Sequence, residues 1–440
     1  MNSTLRGARA VLVLDPVKPD ANFKPEIEQH GFAVISVYTM PREFVDSRWP
    51  DHQEGDAASI YASDVDEILM EVRKLQAEIV AVLPGYDVAV HIADALADRL
   101  ALPGNGPELA LARRDKAAMR EAARRAGLRT PNFAVVKDAK EISKAAETVG
   151  FPAIVKQTTG AGSHGTRLLN RAADARNLSS LHEVDYFGQP VESWLVEQYV
   201  RGRELAVNCF SYGRKHHVVD IWEYRQPNDE DYSFPYWESA QIPKDDPDWL
   251  RAVEFVHDTL VAFDVSLGPS HTEVKIFEGE VYLIELGARL PGGPMVDQWL
   301  AHSDLDPFKQ TLDCSLGHRP AFVDAPPRFD SFCGASAIRN DGPVGVLIEI
   351  QGLDDVIRMP GVDKVVSLFK AGDLVPITNS VKNIPVGVWV SAPDYPTLIA
   401  RFSQVRNIVK LVIEPVVDAS SDCVQSAAVG RNDDDSDFHP

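Results

Sequence analysis

Lysine and arginine are in short supply. The 440-residue chain holds 44 of them against 65 aspartates and glutamates, a formal charge of −21. A surface of that sign repels phosphate backbones and anionic lipid unless a local basic patch intervenes, so neither nucleic acid nor a membrane is expected as a partner. Long apolar runs are missing too, and no stretch reaches the roughly 18 to 20 apolar residues that span a bilayer. The opening Arg6-Gly7-Ala8-Arg9 followed by Ala10 to Leu14 imitates a signal peptide. Its apolar run stops at Asp15-Pro16 and is too short for one, which leaves a first buried strand and the expectation of a soluble, cytoplasmic protein. Cysteine is scarce: Cys209, Cys314, Cys333 and Cys423 stand far apart and form no Cys-x-x-Cys pair, so neither a zinc site nor a disulfide framework is expected. Two glycine signatures are absent. The turn after the first strand reads Asp15-Pro16-Val17-Lys18-Pro19 without G-x-G-x-x-G, which removes dinucleotide binding there, and no G-x-x-x-x-G-K-[ST] occurs around the one dense glycine cluster.

What is present is ordinary globular composition, 45% hydrophobic and 25% charged, in a chain long enough for two or three packed units. Short β-branched runs at Ala10–Leu14, Ala33–Tyr38 and Ile79–Leu83 alternate with amphipathic segments such as Asp64–Gln76 and Val88–Leu100, the pattern of βαβ units on a parallel sheet. Glu108–Ala126 reads as a charged helix ending at Gly127, and Ala139–Val149 as another. Past Phe151 the pattern turns to strands with glycine turns. Gly334–Ile338, Val344–Ile350, Val365–Leu368 and Val386–Ser391 read as strands and Tyr395–Val405 as a helix, an α+β unit at the end of the chain. The expected division is a Rossmann-like domain over 1–104, a central region over 105–328, an α+β domain over 329–415 and a disordered acidic tail over 416–440.

Three elements carry candidate chemistry. The first is Phe151-Pro152-Ala153-Ile154-Val155-Lys156 leading into Gln157-Thr158-Thr159-Gly160-Ala161-Gly162-Ser163-His164-Gly165-Thr166. A lysine at the end of an apolar strand supplies a fixed positive charge, and glycines let backbone N–H groups close on phosphate oxygens. A plain β-hairpin turn is the alternative. The second is Trp194-Leu195-Val196-Glu197-Gln198-Tyr199-Val200, followed by Arg201-Gly202-Arg203-Glu204: a strand edge offers backbone groups to a purine and Glu204 accepts from ribose hydroxyls, or the piece is a solvated hairpin. The third pairs His271-Thr272-Glu273-Val274-Lys275 with Val281 to Arg289 as adjacent antiparallel strands joined across Glu278-Gly279-Glu280. Glu273 and Glu285 then make a hard-oxygen pair suited to Mg²⁺, unless each is only salt-bridged to Lys275 or Arg289. The run Arg289-Leu290-Pro291-Gly292-Gly293-Pro294 is either a substrate-contacting turn or the lead into a helix over Met295–Ala301. Trp222, Tyr224, Tyr232, Phe234, Tyr236 and Trp237 either line a side-chain pocket or pack a core.

In order and spacing these elements, with Arg113-Arg114-Asp115-Lys116 ahead of them, resemble the ATP-grasp superfamily. Leu102-Pro103-Gly104-Asn105-Gly106, His271-Thr272-Glu273 and Gly387 to Asp394 are similar to stretches of its L-amino acid ligases and carnosine-synthase-like dipeptide ligases, over roughly residues 8 to 415. The resemblance implies an ATP-grasp fold, α/β and α+β multidomain, behind a Rossmann-like pre-ATP-grasp domain and ahead of a small C-terminal α+β domain. It implies ATP contacts at Lys116, Lys156, Gly160, Gly162, Ser163, His164, Gly165, Glu197, Gln198, Tyr199, Val200 and Glu204. Mg²⁺, with Mn²⁺ as a substitute, would sit on Glu273 and Glu285, and substrate would meet His271, Arg289, Gly292 and Gly293, with Arg289 catalytic. Where many members read Glu-x-Asn-x-Arg, this chain has Gly287 in the asparagine position. The implied activity is ATP-dependent ligation of a small-molecule carboxylate to an amine, both amino acids, through an acyl phosphate with release of ADP. Acyl transfer to a carrier or coenzyme thiol, carboxylation, and a non-catalytic ATP-binding regulator stay open. A homodimer is the base-rate expectation.

Overall fold

The computed structural model describes residues 5–17, 23–176, 178, 181, 184–226, 228, 232, 234 and 236–416. The acidic tail from residue 417 with Cys423, and Lys18-Pro19 of the first turn, lie outside the described residues. β1 (Arg9–Leu14), β2 (Ala33–Tyr38), β3 (Ala58–Tyr61) and β4 (Glu78–Pro84) form a parallel sheet in the order β3-β2-β1-β4. The near-continuous apolar runs of β1 and β2 follow from burial on both faces. β3 was not anticipated, because four residues flanked by polar turns leave too little periodicity to read. The helix Val65–Leu75 starts where the Asp64 carboxylate accepts from the Glu67 amide, and it stops at Gln76 in the left-handed region.

β5 (Phe133–Val136), β6 (Ala153–Gln157), β7 (Arg167–Leu169) and β8 (Trp194–Gln198) make a second sheet, antiparallel, in the order β5-β8-β6-β7. The glycine-rich segment is therefore the connection of the β6–β7 hairpin. The remaining strands are β9 (Arg203–Tyr212), β10 (Lys215–Arg225), β11 (Glu238–Gln241), β12 (Leu267–Phe277), β13 (Glu280–Gly287), β14 (Phe332–Ile338), β15 (Gly345–Gln351), β16 (Val362–Ser367), β17 (Leu374–Val375), β18 (Val386–Ala392) and β19 (Lys410–Pro415). Eight of them build a large sheet in the order β13-β12-β9-β10-β11-β14-β18-β16, and β17-β15-β19 form a small one. The large sheet runs across position 328, so the end of the chain shares its central layer with the middle. One face of it, with Leu205, Val207, Cys209, Ile221, Val274 and Leu283, packs on Met119, Ala122, Val256 and Leu260 of two helices, Lys116–Arg125 and Trp249–Ala262.

Two expectations changed on folding. Glu108–Ala126 is not one helix: short 3₁₀ turns at Pro107–Leu109 and Leu111–Arg113 precede a helix that begins at Lys116, because the Asp115 carboxylate accepts from the Ala118 amide and sets the start there. The segment Trp194–Val207 is not a hairpin, since β8 and β9 belong to different sheets. The chain crosses between them at Gly202, whose φ is +100° and where an added Cβ would lie 2.2 Å from the Ile276 carbonyl oxygen. Gly202→Ala is expected to cost about 1–3 kcal/mol of stability, read as a lower urea midpoint at unchanged slope. Among the described residues no helix is long and apolar enough to cross a membrane.

Candidate active site

The second face of the large sheet carries polar side chains in three successive rows, because residues two apart on a strand share a face and the register aligns them across strands. Lys275, Glu204 and Tyr224 form one row on β12, β9 and β10. Glu285, Glu273, Ala206 and Trp222 form the next on β13, β12, β9 and β10. Gly287, His271, Asn208 and Asp220 form the third. A bulge adds Ile284 to β13 beside the Glu273–Glu285 pair, and the Arg120 guanidinium donates to the Ile284 carbonyl at 2.7 Å.

The rows face the β6–β8 sheet and its glycine loop across a cleft of about 1100 Å³, open mouth included. Of the residues expected from sequence, Lys116, Lys156, Gly160, Gly162, Ser163, His164, Glu197, Gln198, Tyr199, Val200, Glu204, His271, Glu273, Glu285 and Arg289 all line this cleft. Gly165, Gly292 and Gly293 do not. Gly293, at φ +66°, serves as the turn ahead of the helix Pro294–His302. The aromatic cluster divides: Tyr232 and Tyr236 reach the cleft wall, Trp222 and Tyr224 are buried in the sheet, and Trp237 lies 3.6 Å under the Arg339 guanidinium.

Buried charge is arranged in pairs. Lys116, the first residue of its helix, donates to Glu285 Oε1 at 2.7 Å and to the Gly160 carbonyl at 2.6 Å, so one ammonium ties the acidic pair to the root of the glycine loop. Arg114 donates to the Thr159 carbonyl beside it. Lys156 and Arg120 both engage Glu197, Arg120 at 2.8 Å. Burial opposes ionisation of Glu197, but the two cations outweigh it and hold the carboxyl down to about 2. The Lys156 ammonium is pulled down by burial, with Glu197 offsetting part of that. The Glu197 side chain is thus committed to these cations, and the Gln198 and Tyr199 amides already donate to the Asn132 and Pro152 carbonyls. Glu204 has its carboxyl raised by burial, with Lys275 at 3.3 Å working against that; the Lys275 ammonium also lies 4.6 Å above the Tyr199 ring.

Glu273 and Glu285 are directly opposed across β12 and β13, and neither is paired with Lys275 or Arg289, so the salt-bridge alternative for this hairpin is not what forms. Burial alone would raise Glu273; the hydrogen bond from His271 and the charges of Lys116 and Lys156 carry it below its usual value. Among the described residues no group of three or more His, Cys, Asp or Glu converges. A metal here would draw on the two carboxylates and complete its shell from a nucleotide and water, the habit of Mg²⁺. The missing asparagine has a structural counterpart: the Arg289 side chain lies over Gly287, 3.6 Å from where a Cβ would stand, and fills the space a longer side chain at 287 would use.

Arg289 is held by a residue the sequence reading missed. Its Nε donates to Asp87 Oδ1 at 3.0 Å, and Arg114 approaches the other oxygen at 3.2 Å. Asp87 stands just past β4, at the C-terminal end of a parallel strand, where open α/β sheets hold ligands; that position was the available signal. Burial opposes its charge, and Arg114 and Arg289 prevail, keeping the carboxyl below its usual value. Burial likewise opposes the Arg289 charge, but Asp87 and Glu285 keep the guanidinium protonated.

Residues 149–297 match the family model described as an ATP-grasp domain. Over 92% of its length the chain is 22% identical to dapdiamide A synthase of Enterobacter agglomerans, covering 97% of that protein. It is also 22% identical to an L-arginine-specific L-amino acid ligase of Bacillus subtilis, over 83% of this chain and 88% of that one. The fold is similar to the crystal structure of an L-amino acid ligase from Bacillus licheniformis, with TM-score 0.69 and 18% identity over 93% of this chain and 99% of the other.

Proposed function

Starting from a chain that belongs to the ATP-grasp superfamily, we propose an ADP-forming ligase that joins the carboxylate of one amino acid to the amino group of another. The observation that carries this reading is the opposed Glu273–Glu285 pair, with Lys116, Lys156 and Arg289 converging on one cleft under a glycine-rich loop. Relatives named as a dapdiamide synthase and an L-amino acid ligase support amino acids as the substrate class.

In this reading the glycine loop and the ammonium groups of Lys116 and Lys156 hold the ATP phosphates, and Glu204 meets the ribose. Glu273 and Glu285 would hold a divalent ion, Mg²⁺ with Mn²⁺ as substitute, which would supply charge neutralisation at the phosphoryl group. The substrate carboxylate attacks the γ-phosphorus, ADP leaves, and an acyl phosphate remains. The amine then attacks the acyl carbon, and Arg289, fixed by Asp87, stabilises the tetrahedral oxyanion before phosphate departs. Positioning and electrostatics do the work, and no side chain becomes covalently attached.

Incubation with ATP, Mg²⁺ and pooled amino acids is expected to give ADP and phosphate in equal amounts, dependent on the amino acids, together with a product whose mass is the sum of two of them less water. AMP as the nucleotide product, or ATP binding without turnover in any pool of carboxylates and amines, would overturn the proposal.

A further inference from the structure

Three consecutive carbonyls at the root of the glycine loop are held by one short segment of chain. The Thr158 carbonyl accepts from the Lys116 amide at 2.8 Å, the Thr159 carbonyl from Arg114 Nη2, and the Gly160 carbonyl from the Lys116 ammonium at 2.6 Å. Both cations have a second partner. Lys116 reaches on to Glu285, and Arg114 reaches on to Asp87. The Asp87 carboxylate lies between two guanidiniums: its Oδ2 is 3.2 Å from Arg114 Nη1, and its Oδ1 accepts from Arg289 Nε at 3.0 Å. Arg289 lines the cleft, whereas Asp87 and Arg114 stand behind the wall with side chains only 6% and 3% exposed.

The other side of Arg114 is walled by the segment that leads into β8. The Phe187 ring centre lies 5.0 Å from the guanidinium carbon. Phe187 is fixed to the loop root in its turn: the Thr159 hydroxyl donates to Asp185 Oδ2 at 2.9 Å, and Asp185 Oδ1 accepts from the Phe187 and Gln189 amides at 2.8 and 3.0 Å. A shift of the root therefore takes from Arg114 its carbonyl acceptor and its aromatic face together. A guanidinium is planar and carries its donors in a rigid fork, so turning it at the Thr159 end changes what it offers Asp87 at the other. Asp87 is one carboxylate shared by two cations, and its orientation is set by both. With Arg114 displaced, the oxygen that steadies Arg289 is no longer fixed.

We propose that Arg114 is a positioning residue that makes the setting of Arg289 depend on a seated glycine loop, so that Arg289 is aligned for amide formation only while bound nucleotide holds the loop in place. The part Arg289 plays in amide formation rests on the ligase reading; the link from the loop to Arg289 does not. Where the link is cut, water takes the acyl carbon of the acyl phosphate in place of the amine, phosphate leaves and the carboxylate is regenerated. ATP is then consumed with no amide formed.

The test uses the full chain and two variants. Arg114→Met keeps the length of the side chain without its charge, and Arg114→Lys keeps the charge as a point that serves one partner at a time. Hydrogen exchange is followed with and without Mg²⁺ and β,γ-imido-ATP. In the wild type the nucleotide should slow exchange both in the peptide carrying Gly160–Gly165 and in the peptide carrying Arg289. In both variants the loop peptide should still be slowed and the Arg289 peptide should not. In assays with amino acids, ADP release by the variants should stay within about threefold of the wild type while amide formation falls on the order of tenfold, raising the ratio of ADP to amide from about one to several. A side chain that only supports the fold would leave that ratio at one. Should Arg114→Met fail to fold, Arg114→Lys carries the test alone. Protection of the Arg289 peptide that is absent in the wild type, or that persists in Arg114→Lys, would overturn the link whatever the activity. Loss of that protection with a ratio still at one would overturn the role in amide formation alone, and absence of ligation by the wild type would count against the ligase reading alone.

Discussion

Glu285→Ala is expected to abolish metal-dependent ATP turnover, a loss on the order of a thousandfold or more in kcat, while the protein stays folded. The two opposed carboxylates are the pair proposed to hold a divalent ion, and removing one would leave it a single protein carboxylate there. The fold has little to lose. Glu285 sits at the end of edge strand β13, a quarter exposed, and Lys116 keeps its second partner, the Gly160 carbonyl. Phosphate release measured against Mg²⁺ concentration checks the first half and the thermal midpoint the second. Turnover retained within tenfold of the wild type would remove Glu285 from the metal site.

Much of this arrangement was legible in the sequence, for a reason visible in the rows. Period-two alternation on β12 and β13 puts Glu273 and Glu285 on one face once the two strands are seen to be adjacent, and the short Glu278-Gly279-Glu280 turn makes them adjacent. The glycine loop was readable because Gly160, Gly162 and Gly165 are local chemistry. The parts that were not readable depend on contacts distant in the chain. Asp87 reaches Arg289 across 202 positions, and nothing near Asp87 in sequence announces a guanidinium. Lys116 was expected at ATP phosphates, yet its link to Glu285 spans 169 positions. The row Gly287–His271–Asn208–Asp220 needs four strands in register plus a bulge on β10, and no sequence pattern specifies a bulge of that kind.

Glu197 lines the cleft, and its side chain is engaged there by two cations. It was expected beside adenine; its side chain instead joins Arg120 and Lys156 in a buried triad linking the helix Lys116–Arg125, β6 and β8. Glu197→Gln would leave two buried cations without their counter-charge and is expected to cost about 3–5 kcal/mol in urea unfolding at pH 7. Lys156→Ala removes one cation and leaves Arg120 on the carboxylate, so it should act mainly as a sharply raised ATP requirement.

The pH dependence separates the two accounts. The folded carboxyl is held at about 2, below its unfolded value of about 4.3, so its contribution is present above the unfolded value and is lost as pH falls from there towards 2. The stability gap between wild type and Glu197→Gln should therefore be full at pH 7 and narrow through that acid window. A gap below about 1 kcal/mol at pH 7, the range of a surface pair, would show that the triad is not what holds the β6–β8 sheet and the helix together, and would return Glu197 to the nucleotide. A gap of several kcal/mol that stayed constant down to pH 3 would assign the loss to packing rather than to charge.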